Sequence, residues 1–179
     1  MHHLFIFLLA VMILGGCATR PASETHQAVL SLSYWQFDQT PAGWRSLADR
    51  REFREAAVLI ESYFARHPEL LPNERAMLHF HAAQLFGFDG DSRASLRHLK
   101  HAGVPDGSKG FPARWNDYVA ATTAFLKRDH AALLAARERM ARGSVSDQDR
   151  AYLGTVDLLI SRWDDSYRTA YLSQMEKHK

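Results

Sequence analysis

From Thr40 to the end of the chain, apolar residues recur three and four positions apart, the period of a helix with one buried face. No stretch alternates polar and apolar residues as a half-buried strand does. Thr40-Pro41 reads as a cap followed by proline in a first turn, and opens a short helix with Trp44, Leu47 and Ala48. A second helix, from about Glu52 to Arg66, places Phe53, Ala56, Leu59, Ile60, Tyr63 and Phe64 on one face and stops at Pro68. Pro72 starts a third, with Met77, Leu78, Phe80, Leu85 and Phe86, ending near Asp89-Gly90. Asp91 caps a fourth, carrying Leu96 and Leu99, and Gly103 ends it. Val104 to Pro112 is a loop; Pro112 then opens a fifth helix with Trp115, Tyr118, Val119, Thr122, Phe125 and Leu126. Asp129 caps a sixth, which ends at Gly143. Ser146 with Asp149 makes a capping-box-like start for the seventh, with Val156, Leu159, Ile160 and Trp163. The eighth carries Tyr167, Ala170 and Tyr171. The pattern predicts an all-α fold of antiparallel hairpins.

Upstream the pattern changes. Ala18 to Gln27 is polar, without an apolar period, and reads as a tether. Ala28 to Asp38 holds Val29, Leu30, Leu32, Tyr34, Trp35 and Phe37, too apolar for a free linker, and is expected to lie against the folded domain. The first residues are different again. An unbroken apolar run from Leu4 to Leu14 is followed by Gly15-Gly16-Cys17. At about 1.5 Å of rise per residue the run covers about half of a ~30 Å hydrocarbon core, the length of a signal-peptide core. His2 and His3 precede it, with no Lys or Arg, a departure from the usual signal.

Leu14-Gly15-Gly16-Cys17 resembles the lipobox of bacterial lipoproteins. The resemblance implies that Cys17 gains a thioether-linked diacylglycerol, that the signal is removed and that the new amino terminus is acylated. Each buried methylene contributes about 0.8 kcal/mol, so several chains together anchor stably where one does not. Ala18 and Thr19 follow the cysteine without an aspartate, which resembles the outer-membrane address of enteric lipoproteins. The chain is then expected to divide into a signal at 1–16, a lipidated N-terminus and tether at 17–39, and a helical domain at 40–179.

Composition narrows the picture further. Apolar residues make up 46% and aromatics 11%, enough for a core. Cys17 is the only cysteine, so no disulfide is expected and stability rests on packing. Net charge is +2 with acids and bases interspersed, which gives no nucleic-acid stripe and excludes nucleic acid as an expected partner.

A repeat underlies the hairpins. Asp91 and Asp129 stand 38 residues apart, as do Ala82-Ala83 and Ala120-Ala121, and Glu52-Phe53 precedes Asp91 by 39. This resembles the tetratricopeptide repeat from about Trp44 to Met140. In the first unit Phe53, Ala56, Ile60, Tyr63 and Pro68 fall at consensus positions, Ile60 and Tyr63 departing in type. In the second, Ala82, Ala83, Phe86, Gly90, Asp91, Leu99 and Ala102 match. The third departs: Arg137 replaces an apolar residue and Arg128 the turn glycine. The alternative is an irregular α-α superhelix. From Trp115 to Tyr171 the chain is also similar to bacterial proteins of this size, a likeness that implies no activity. Stacked hairpins make curved surfaces, and the resemblance implies an extended peptide or another protein's helix as ligand.

Candidate chemistry is sparse. His79, His81, His98 and His101 are close in sequence and near the facing ends of one hairpin, and imidazoles so placed can bind zinc, copper or nickel. His98 and His101 share a helix face, whereas His79 and His81, two apart, cannot. Asp89 and Asp91 read as turn and cap residues, and Glu52, Glu55, Asp164 and Asp165 as acids at helix starts. Glu61 and Glu138 are the carboxylates available to a cell-wall glycan hydrolase, without a motif around them. Trp44, Trp115 and Trp163 belong to apolar stripes and read as core; Trp35 is a candidate for a partner surface. The expected function is a lipid-anchored, periplasm-facing adaptor or assembly factor with an envelope protein as partner and no cofactor. A metal or small-ligand binder built on the histidines is the alternative, and a cell-wall enzyme the third.

Overall fold

A computed structural model describes residues 22–142 and 146–176, with the side chains of 22–25 and 174–176 left out. The lipobox-like segment Leu14–Cys17 and the expected stop at Gly143 lie outside the described residues. The described residues form helices joined by turns and loops, without a strand. The helices are α1 (Ala22–Leu30), α2 (Tyr34–Gln39), α3 (Ser46–Asp49), α4 (Phe53–Arg66), α5 (Pro72–Asp89), α6 (Ser92–Leu99), α7 (Trp115–Leu126), α8 (His130–Met140), α9 (Asp147–Ser161) and α10 (Tyr167–Glu176). A tight turn, Pro41–Arg45, links α2 to α3 and is kinked at Gly43. No helix among the described residues is long and apolar enough to cross a membrane.

The helices begin and end where local chemistry dictates. Thr40 accepts from Ala42 N ahead of Pro41, Asp91 from Ala94 N, and Asp129 from Ala132 N. Ser146 and Asp149 bond reciprocally at the start of α9, satisfying two orphan backbone donors. α3–α4, α5–α6 and α7–α8 form successive hairpins, each packed on the next.

Their three turns are built alike. One residue is left-handed in each: Arg51 (φ 64°), Gly90 (φ 91°) and Arg128 (φ 59°). The next amide closes a wide loop onto a carbonyl five residues back: Glu52 to Leu47 at 3.0 Å, Asp91 to Phe86 at 2.8 Å, and Asp129 to Ala124 at 2.9 Å. That is the Schellman stop, repeated three times. The repeat is therefore a repeat of backbone geometry, even where glycine is replaced by arginine.

Two differences from the sequence reading concern the ends of the array. Ala18 to Gln27 reads as a tether, yet from Ala22 the chain is helical; Ala28 to Asp38, expected to lie against the folded domain, does so, and α1 and α2 lie on α4. Phe37 is wholly buried, stacked on Tyr63 with ring centroids 3.8 Å apart, and Leu30 is buried in the same core. The folded unit thus starts before Thr40, because these apolar side chains need the flank of α4 to leave water. At the other end α9 and α10 fold back over the array. α10 packs on α5 as well as on α9, and α9 on α7.

Candidate functional site

Two polar clusters flank α5, on opposite sides. The first centres on Asp38, which has no exposed surface at all. His81 Nδ1 lies 2.8 Å from its Oδ1, and the Trp44 indole N–H donates to the same oxygen at 3.0 Å. Gln39 Nε2 donates to Oδ2 at 2.5 Å, the Tyr34 hydroxyl donates to it at 3.4 Å, and Arg45 Nε donates to the Asp38 backbone carbonyl. Burial by itself pushes the Asp38 carboxyl up. The bond and charge of His81, then the Trp44 indole and Arg45, outweigh it and hold the carboxyl below its ordinary range. The same environment raises the Tyr34 phenol, first by burial and then by the Asp38 charge. Two further bonds seat the N-terminal segment: Tyr63 Oη donates to Leu32 O at 2.8 Å, and His67 Nε2 to Leu30 O at 2.7 Å.

The second cluster joins α4, α5 and α6. His98 Nε2 is 3.2 Å from Glu61 Oε1, and His98 Nδ1 is 3.0 Å from His79 Nδ1. A carboxylate only accepts, so neutral His98 carries its proton on Nε2 and accepts at Nδ1 from His79 Nδ1–H. The result is a directed chain from His79 through His98 to Glu61. Phe64 stacks on His79 with centroids 4.3 Å apart, and the His101 ring is 5.0 Å from that of His79. Burial, followed by the charges of His98, His101 and Arg75, pushes His79 down to about 4. Burial also lowers His98, against the pull of Glu61.

The four histidines of the sequence reading are therefore not one set. His79, His98 and His101 come together; His81 points across α5 to Asp38. Two residues apart on a helix, His79 and His81 are turned about 200° from each other, and each found a different neighbour. Among the described residues no three His, Cys, Asp or Glu side chains are grouped so as to hold a metal ion. Glu61 serves the histidine chain, while Glu138 is exposed on α8. Asp91 caps α6, and with Asp89 it also takes an ion pair from Arg54. Sequence reasoning missed Asp38 and His67. An acid closing an apolar run was the available sign for Asp38; nothing local marked His67.

The sides of α5 and α7 that face α9 and α10 are covered. Tyr152 of α9 stacks on Tyr118 at 4.3 Å and 3°, and the hydroxyls of Tyr118 and Tyr171 are 3.2 Å apart. Gln84 donates to Tyr171 Oη at 2.8 Å, Phe88 stacks on Tyr167, and Phe125 meets Trp163 edge-on. The apolar sides of α5 and α7 thus have their cover from within the chain. Trp44 and Trp115 are core, as the stripes implied, whereas Trp163 is only partly buried against it. Trp35, the candidate for a partner surface, is 64% exposed, and Leu71 is 63% exposed.

Fold and site define an all-helical hairpin array, covered by α9 and α10 and clasped at α2 by the buried Asp38 and its partner His81. Comparison with known proteins returns no matching family, no matching curated protein and no matching solved structure.

Proposed function

We propose that the chain is a lipid-anchored module of the bacterial envelope that holds another protein on the periplasmic side of the outer membrane. The lipobox-like Leu14–Cys17 supports the anchor, and the tetratricopeptide-like hairpins support a binding scaffold. The observation that carries the reading is Trp35. Its indole is mostly exposed, yet its helix is held rigidly by wholly buried neighbours, Phe37 and Asp38. A large aromatic side chain pre-placed at low entropic cost is the kind of residue that dominates protein interfaces. With the sides of α5 and α7 that face α9 and α10 already covered, the partner docks elsewhere, at Trp35.

A photo-crosslinking amino acid at Trp35, incorporated in cells, tests this. A discrete adduct with one envelope protein is expected, absent when the same probe replaces Val58 on the flank of α4. No adduct at Trp35 or Leu71 under several growth conditions contradicts the reading. Cys17→Ala separately tests the anchor: the protein should move from the membrane to the soluble fraction.

A further inference from the structure

The hairpin turns and the start of α1 share one edge of the molecule. Arg54, in the first turn of α4, pairs with Asp89 at 2.8 Å and Asp91 at 3.4 Å, which ties the first turn region to the second. A cavity of about 290 Å³ is lined together by Gly90, Ser92, Arg128 and Ser166, which brings the second, third and last turns side by side. Arg128 also donates to the carbonyls of Trp163, Asp164 and Asp165. The connections between hairpins gather at the other edge, where Asn73 donates to Lys109 O at 3.0 Å and Arg114 to Arg142 O.

α1 runs between these edges in a fixed sense. Its last residue, Leu30, is bonded to His67 beyond the end of α4. Its middle, at His26, lines a cavity with Ser46, Leu47 and Arg50 beside the first turn. The helix therefore carries Ala22 about 12 Å from Leu30, toward the turn edge. Only five peptide units separate Ala22 from Cys17. Five such units span at most about 17 Å.

We infer that the turn edge, from Arg50 through Gly90 to Arg128, rests against the headgroup surface of the anchoring bilayer, and that Trp35 and Leu71 point away from it. The inference rests on the lipid anchor proposed above. The opposite orientation requires the tether to double back along the whole of α1. Trp35 follows Leu32, which Tyr63 holds near the end of α4, and Leu71 opens α5, so both lie at the far edge. The turn edge carries its own balance of charge: Arg50 pairs with Glu52, and Arg54 with two aspartates. The short tether, not charge, sets the approach, so the orientation holds on a zwitterionic bilayer.

The test uses full-length lipidated protein in phosphatidylcholine vesicles that contain a headgroup spin-labelled lipid. With Cys17 lipidated, a single introduced thiol carries the fluorophore. Arg93→Cys and Lys127→Cys label the turn edge; Leu71→Cys and Lys109→Cys label the far edge; all four positions are exposed. Circular dichroism checks that each variant is folded. Several-fold stronger quenching at 93 and 127 than at 71 and 109 is expected. Equal quenching, or the reverse order, in protein that floats with the vesicles overturns the orientation alone. Failure of the native protein to float with the vesicles overturns the anchor and the orientation with it.

Discussion

A carboxylate withdrawn from water costs several kcal/mol unless its oxygens are bonded, and Asp38 meets that condition through His81, Trp44, Gln39 and Tyr34. Its removal leaves the partly buried His81 and the Trp44 indole N–H unpaired. Asp38→Ala is expected to lose about 3 kcal/mol of stability in urea unfolding. Because the folded carboxyl sits below its ordinary 3.8, its contribution is complete above that value and is lost as pH falls through the lower folded value. The histidine chain has the opposite chemistry and a different window. His79 titrates at about 4 in the fold against 6.5 in an unfolded chain, so the unfolded state takes the proton first. Stability is therefore full above 6.5, falls between 6.5 and about 4, and levels below; His98 adds a loss of the same sign. Melting temperatures measured across that range should decline in the native protein and decline less in His79→Gln. At this scale the sequence supplied the histidines, but their partners Asp38 and Glu61 lie 43 and 37 residues away, beyond any local pattern.

The helices and their turns were legible from spacing and caps. Asp91, Asp129 and the Ser146–Asp149 pair act as read, since capping is a contact between residues three apart. The third hairpin looked irregular because Arg128 replaces the turn glycine. Its backbone nevertheless adopts the left-handed conformation, at a cost of about 1 kcal/mol, and its guanidinium compensates by binding three carbonyls of the α9–α10 turn. Arg128→Gly should therefore destabilise by about 1–2 kcal/mol despite relieving the backbone, since charged hydrogen bonds exceed that strain. Gly90→Ala, which introduces the strain with no compensating bond, should lose about 1 kcal/mol. Both are read by thermal or urea unfolding. The start of α1 was less legible: a polar first turn looks like linker until a helix flank exists to bury its end.

At the scale of the molecule, the C-terminal helices complete the core of the array. A Cβ on Gly87 would stand 2.6 Å from Tyr167 Cδ1, a ring buried to 4% exposure, so α5 and α10 meet at the limit of contact. Gly87→Ala should cost about 1–3 kcal/mol by forcing the two helices apart, visible as a lower melting temperature and faster amide exchange in α10. The sequence by itself determined the all-helical class, most helix starts and the hairpin period, because a helix is set by neighbours within four residues, although α6 stops at Leu99 ahead of the expected Gly103. It also set the lipobox-like start from which the envelope address is proposed. Only the tertiary structure decided which of the four histidines meet, that Asp38 is buried, and that α9 and α10 cover the apolar sides of α5 and α7. Those outcomes depend on which faces have room for which side chains, and the Gln84–Tyr171 bond spans 87 residues. Periodicity says that a face must be covered; packing alone says by what.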